Sequence, residues 1–227
     1  MVRGPAGSLS TSDHYPPDAT PSHEAVTAVL AEAIAALDAE EVPHLLMGGL
    51  VVARYARPRA TDDVDVFVKP EHARQALDAL ESAGFEVEES DPMWLFKAHK
   101  DGVLVDIIFR SSGEIYLDDE MLARGVRDEV RGSSALLMSP EDLLVVKAVA
   151  TAEHGPHHWY DALAIIARTP LDWPYVVERA RQAGPRRVLS LLLYAESNDL
   201  AVPAEAVDQL HAIILPRPAE LAHDRNQ

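Results

Sequence analysis

Three aspartates stand where strands are expected, Asp63 and Asp65 in "DVDVFV" and Asp106 in "VLVDIIF". In an extended strand successive side chains alternate faces, so Asp63, Asp65 and Phe67 share one face while Val64, Val66 and Val68 share the other. Same-face neighbours have Cα atoms about 6 to 7 Å apart, which lets both carboxylates converge on one divalent ion or a close metal pair. Paired carboxylates without a cation repel and are partly desolvated, so a hard, oxygen-seeking ion such as Mg²⁺ (or Mn²⁺) is the natural partner. If the strand carrying Asp106 lies beside "DVDVFV", a three-carboxylate site forms, in which Asp106 could also take a proton from an attacking hydroxyl. The plainer alternative leaves Asp63 and Asp65 on the solvated face of an edge strand and turns Asp106 to water. Asp62 has the parity of the valines and reads as a strand-start residue rather than a ligand.

Upstream stand Gly48 and Gly49, between a short apolar strand over about 44–47 and a helical pattern starting near Leu50. Without a Cβ, glycine lets a phosphate approach the backbone, and a helix start offers free N–H groups and a positive dipole end. An ordinary tight turn would use the same pair. Arg54, Arg57 and Arg59 could add charge to a triphosphate site; for Arg57 the expectation is a solvated surface arginine.

These residues need a frame. Ser22 is a plausible N-cap for a helix with the stripe Val26, Val29, Leu30, Ala33 and Leu37, ending near Glu41 before Pro43. Pro70 suits the first position of a helix running to Gly84, "FEVEES" alternates as a strand, and "MWLFKAHK" and "VLVDIIFR" flank Asp101-Gly102, a hairpin turn pair. "RDEVRGSSALLM" suggests one more weak hairpin. At Ser139-Pro140-Glu141-Asp142 a capping pattern opens a run of helices over about 140–153, 157–167, 173–183, 185–197 and 203–214. The expected class is α/β (α+β): a tail over 1–20 whose composition favours disorder, a mixed-sheet domain over 21–138 with its helices on one face, and an all-helical domain over 139–227.

Composition narrows the function further. The chain has 227 residues, no cysteine and a formal net charge of −17. Disulfides, thiolate metal sites and cysteine nucleophiles are thereby excluded, and a broad electrostatic footprint for nucleic acid is opposed. No stretch approaches the roughly 18 to 20 apolar residues of a spanning helix, and the N-terminus lacks the apolar core of a signal peptide, so a cytoplasmic protein is expected. The run Arg179, Arg181, Arg186 and Arg187 is the one candidate patch for an RNA acceptor, though such runs are usually solvated helix faces.

Taken together, Gly48-Gly49, Arg59-x-Thr61-x-Asp63-Val64-Asp65-Val66 and Val105-Asp106-Ile107-Ile108 resemble the signature of the polymerase-beta-like nucleotidyltransferase superfamily. Within it the sequence is most similar to small bacterial AbiEii-like enzymes of the abortive-infection and toxin-antitoxin kind, to whose later motifs "SPEDLLVVKAVA" and "HWYDALAII" correspond. The resemblance covers about residues 40–170. It implies transfer of a nucleoside monophosphate from a nucleoside triphosphate to a hydroxyl of RNA or tRNA, a protein or a small molecule, with pyrophosphate leaving. By the same resemblance Gly48 and Gly49 hold the triphosphate, with Arg59, Thr61 and Lys147 on the nucleotide-binding side. Asp63, Asp65 and Asp106 carry the metal and the catalysis, and Asp161 matches the family's later acid.

The sequence departs from its relatives where an arginine after the lysine and a basic residue before the later acid are usual, since "TAEHGPHHWYD" stands there instead. His154, His157 or His158 could substitute, and the cluster also admits a zinc reading, although it lacks HExxH spacing and thiols. Lys147 could equally be a helix-surface residue and Asp161 a capping or salt-bridging acid. An antitoxin protein is a possible partner. A non-catalytic nucleotide- or partner-binding module of the same fold is the alternative to an enzyme.

Overall fold

A computed structural model describes residues 21–58, 61–151 and 156–215. The expected tail over 1–20 therefore lies outside the described residues.

Helix α1 (His23–Ala39) is capped by Ser22, whose Oγ accepts from the Ala25 N–H, and buries the expected stripe together with Ile34. Strand β1 (His44–Met47) runs straight into α2 (Gly48–Tyr55), so both glycines belong to the first turn of the helix, which starts two residues earlier than its apolar pattern suggests. After β2 (Asp63–Val68) a 3₁₀ turn at Pro70–His72 leads into α3 (Ala73–Ser82). Strands β3 (Glu86–Asp91), β4 (Leu95–Lys100) and β5 (Val103–Ile108) follow. Asp101 and Gly102 join the last two with φ of 50° and 76°, the positive values a two-residue hairpin turn demands.

A short helix α4 (Asp119–Arg124) precedes the hairpin of β6 (Val126–Val130) and β7 (Ser133–Leu137). Six residues are too few for a periodic stripe, so only the Asp118 cap on Met121 N, at 2.8 Å, marks α4 in the sequence. Helices α5 (Pro140–Ala150), α6 (His157–Arg168), α7 (Trp173–Ala183), α8 (Pro185–Glu196) and α9 (Ala204–Ile214) complete the described chain close to the expected boundaries. Among the described residues no helix is long and apolar enough to cross a membrane.

The seven strands form one mixed sheet in the order β3-β4-β5-β2-β1-β7-β6. Strand β2 lies at its centre, antiparallel to β1 and parallel to β5. Helices α1 and α3 pack against the sheet, α5 packs against α6, α7 and α8, and α2 reaches α6. Val64, Val66 and Val68 are fully buried, as the alternation requires, and Phe67 closes the aspartate face beyond Asp65.

Candidate active site

The pairing register brings the three aspartates together. Asp65 stands opposite Asp106 across the parallel β2–β5 pair, with Asp63 one pleat back on the same face. One carboxylate oxygen from each of Asp63, Asp65 and Asp106 lies within 4.8 Å of the others. All three side chains are partly exposed, and the edge-strand alternative does not hold because β2 lies inside the sheet: the acids converge on one face of a central strand. Asp62 is exposed and precedes the strand.

Electrostatics singles out Asp106. Burial, then the neighbouring charge of Asp65 and more weakly that of Asp63, push its carboxyl up to about 7, against a downward pull from Lys97. Its Oδ1 is buried without a hydrogen-bond partner. Three convergent carboxylates, one holding its proton to neutrality and carrying an orphaned oxygen, form a donor set that fits a hard divalent cation. Thr61 is buried and donates to Asp63 Oδ1 at 2.5 Å, so its hydroxyl fixes a carboxylate of the cluster.

Gly48 is required for two reasons. Its φ of +70° lies in the left-handed region, and a Cβ there would meet Asp65 Oδ2 at 1.7 Å. The register explains the proximity, because Met47, the last residue of β1, pairs with Asp65. Helix α2 therefore begins against the acid cluster, and its Met47 N-cap makes no side-chain hydrogen bond. Gly49 is buried in the same turn.

The lysine and the later acid occupy the interior. Lys147 on α5 is buried, with Nζ 3.5 Å from Asp161 Oδ2 and 3.5 Å from His158 Nδ1. The helix-surface alternative for Lys147 thus fails, because α5 is buried along almost its whole length. Asp161 on α6 is fully buried and also accepts from Arg57 Nη2 at 3.2 Å. Arg57 is therefore not a free surface arginine: a buried carboxylate needs a partner, and this side chain, 41% exposed, reaches in to supply one. Arg54 pairs with Asp128 at 2.6 Å. His157 stacks on His158 at 4.0 Å between ring centroids. Among the described residues the aspartate trio is the only metal-competent cluster, and it includes no histidine. Arg59 and His154 lie outside the described residues.

The arginine run after α6 does not form a patch. Arg179 is buried between Asp118, at 2.6 Å, and Asp142, at 3.1 Å, and Arg181 pairs with Glu178. Arg187 donates to the Thr151 carbonyl. One residue escaped the sequence reading altogether. Lys97 stands opposite Asp106 in the β4–β5 register and on the same face, a relation that only strand pairing reveals.

Residues 18–197 match the family described as "Uncharacterised nucleotidyltransferase". The chain belongs to this nucleotidyltransferase family. As a polymerase-beta-like nucleotidyltransferase it is an enzyme of the expected class. No curated protein matches its sequence. Among solved structures, the antigenic nucleotidyltransferase-like protein from Paracoccidioides brasiliensis is similar in fold, with TM-score 0.52 and 16% identity over 85% of this chain and 94% of that one. Antibiotic-resistance factor ANT(2'')-Ia gives TM-score 0.46 and 20% identity over 90% and 98% of the two chains. The nucleotidyltransferase toxin MenT4 from Mycobacterium tuberculosis H37Rv gives 0.43 and 14% over 80% and 70%.

Proposed function

We propose that this nucleotidyltransferase transfers a nucleoside monophosphate from a nucleoside triphosphate to an acceptor hydroxyl, using Mg²⁺ or Mn²⁺ held by Asp63, Asp65 and Asp106. The observation that carries the reading is the convergence of these three carboxylates within 4.8 Å, against a helix start that only glycine can occupy. A divalent ion bound there would polarise the phosphoryl oxygens and neutralise charge on the leaving group.

The chain's own groups supply the rest. The first turn of α2, with Gly48 and Gly49, offers N–H groups to the phosphates, and Thr61 holds Asp63 in orientation. Asp106 accepts the proton of the acceptor hydroxyl as its oxygen forms a bond to the α-phosphorus; the bond from that phosphorus to the bridging oxygen breaks, and pyrophosphate departs. Lys147 serves the triphosphate only if Asp161 shares it, since the two are already paired. That pairing is what favours the second reading, a nucleotide-binding module without turnover. We place the sheet and the helices after residue 138 in two domains, with NTP and Mg²⁺ drawn from the cytoplasm. An antitoxin-type protein is a candidate partner.

Incubation with Mg²⁺, each α-labelled triphosphate, and RNA, protein or small-molecule acceptors tests the reading. Label should move to an acceptor with the wild type and not with Asp63→Asn or Asp65→Asn. Triphosphate binding without pyrophosphate release under every acceptor would instead establish the binding module.

A further inference from the structure

The sheet ends in two unlike edges. At one, β3 carries a register shift between Glu88 and Asp91, stops before Pro92 and exposes Glu86, Glu88 and Glu89, all of which discourage a further strand. At the other edge β6 has none of these protections: Val126–Val130 contains no proline and pairs with β7 without a register shift.

The hairpin turn decides which backbone groups of β6 stand open. Arg131 and Gly132 take φ of 51° and 80° in a two-residue turn, so Val130 and Ser133 close the ladder as a hydrogen-bonded pair. By alternation Asp128 and Val126 also bond to β7, whereas the N–H and C=O groups of Arg127 and Glu129 point away from the sheet. The Glu129 N–H has turned to a local acceptor, Asp128 Oδ1 at 2.7 Å. The side chains of Arg127 and Glu129 share one face, are exposed and make no ion pair among the described residues. On the opposite face Asp128 is held by Arg54 at 2.6 Å, and Val126 is 38% exposed.

We infer that β6 pairs antiparallel with β6 of a second copy of this chain, about a two-fold axis at Asp128. In that register Arg127 of each copy stands opposite Glu129 of the other, each outward N–H meets an outward carbonyl, and Val126 packs opposite Val130. Sliding the pair by two positions would set Arg127 against Arg127 or Glu129 against Glu129, and sliding it by one would leave the outward groups facing inward-bonded ones. Charge complementarity therefore selects this register. Asp128 meets its counterpart at the axis, where Arg54 offsets the repulsion. A strand this short buries little surface, so the dimer is weak and reversible. The inference is independent of the chemistry at Asp63, Asp65 and Asp106.

Sedimentation velocity of the full chain between about 1 and 300 µM tests the pairing, and a reversible monomer–dimer equilibrium is expected within that range. Arg127→Glu alone and Glu129→Arg alone each turn the attractive cross-strand pairs into repulsive ones and should weaken association at least about tenfold. An equal mixture of these two variants should dimerise again, because acid then faces base at both positions, and the double variant should behave like the wild type. Amide hydrogen exchange at Arg127 and Glu129 should slow as concentration rises, while that of Asp128, already bonded to β7, stays constant. A wild type that remains monomeric throughout, a dimer that tolerates both single reversals, or a mixture or double variant that stays monomeric would overturn the inference. Assembly beyond the dimer would do so as well, since a two-fold pairing of this edge closes on itself.

Discussion

A Cβ on Gly48 would stand 1.7 Å from Oδ2 of Asp65. The turn that begins α2 and the carboxylate that defines the cluster therefore occupy one volume, and neither can change alone. Gly48→Ala has to displace Asp65 and adopt a left-handed φ, which costs about 1–2 kcal/mol before any clash. A displacement of about an ångström in a positioned group can lower a rate about 100-fold. We expect loss of transfer of at least that size with only a moderate fall in the urea midpoint. Full activity in Gly48→Ala would separate the turn from the site.

Asp106 stores destabilisation in the metal-free protein. Its folded carboxyl titrates near 7, above the ordinary carboxylate range, so between those values the folded state binds a proton that the unfolded state does not. Stability due to this group is thus greatest at low pH and falls as pH rises through that window. Asp106→Asn removes the dependence. In EDTA the variant should be more stable than wild type at pH 8, by on the order of 1–3 kcal/mol, and nearly equal at pH 4, while transfer is lost. Urea titrations at the two pH values measure the difference.

Divalent binding must expel the same proton. Apparent Mg²⁺ affinity should rise about tenfold per pH unit below 7 and level off above it. Calorimetry at pH 6, 7 and 8 would register this, together with proton release that disappears above pH 8. A flat profile would remove Asp106 from the ligand set.

Asp161 holds two cations of unequal exposure. Asp161→Asn leaves buried Lys147 without its counter-charge, and a loss of about 3 kcal/mol is expected. Arg57→Ala should cost under about 1 kcal/mol, because that side chain is 41% exposed and its pairing is screened by solvent. Equal effects in chemical denaturation would contradict the asymmetry.

Period and punctuation made most of this legible. Alternation in "DVDVFV" separates Asp63 and Asp65 from the buried valines, and Asp101-Gly102 marks the hairpin that carries Asp106. Ser139-Pro140 marks the start of α5, where the Ser139 hydroxyl accepts from Asp142 N. What stayed hidden depends on partners distant in the chain. Arg57 meets Asp161 across 104 positions, and no local pattern announces that. Arg179 reads as one of four surface arginines until Asp118 and Asp142 close on it from separate elements. Lys97 acquires meaning only through its strand neighbour Asp106.

The turn at Asp101 and Gly102 has a consequence for how such a gene can vary. Both residues take positive φ, and the turn spans two positions, which fixes how β5 lies against β4 and so against β2. A codon gained or lost there would slide β5 by one position, send Asp106 into the packed layer and bring Val105 or Ile107 to the face of Asp63 and Asp65. A change in length at this turn would take the acid cluster apart, although every one of its aspartates would still be encoded.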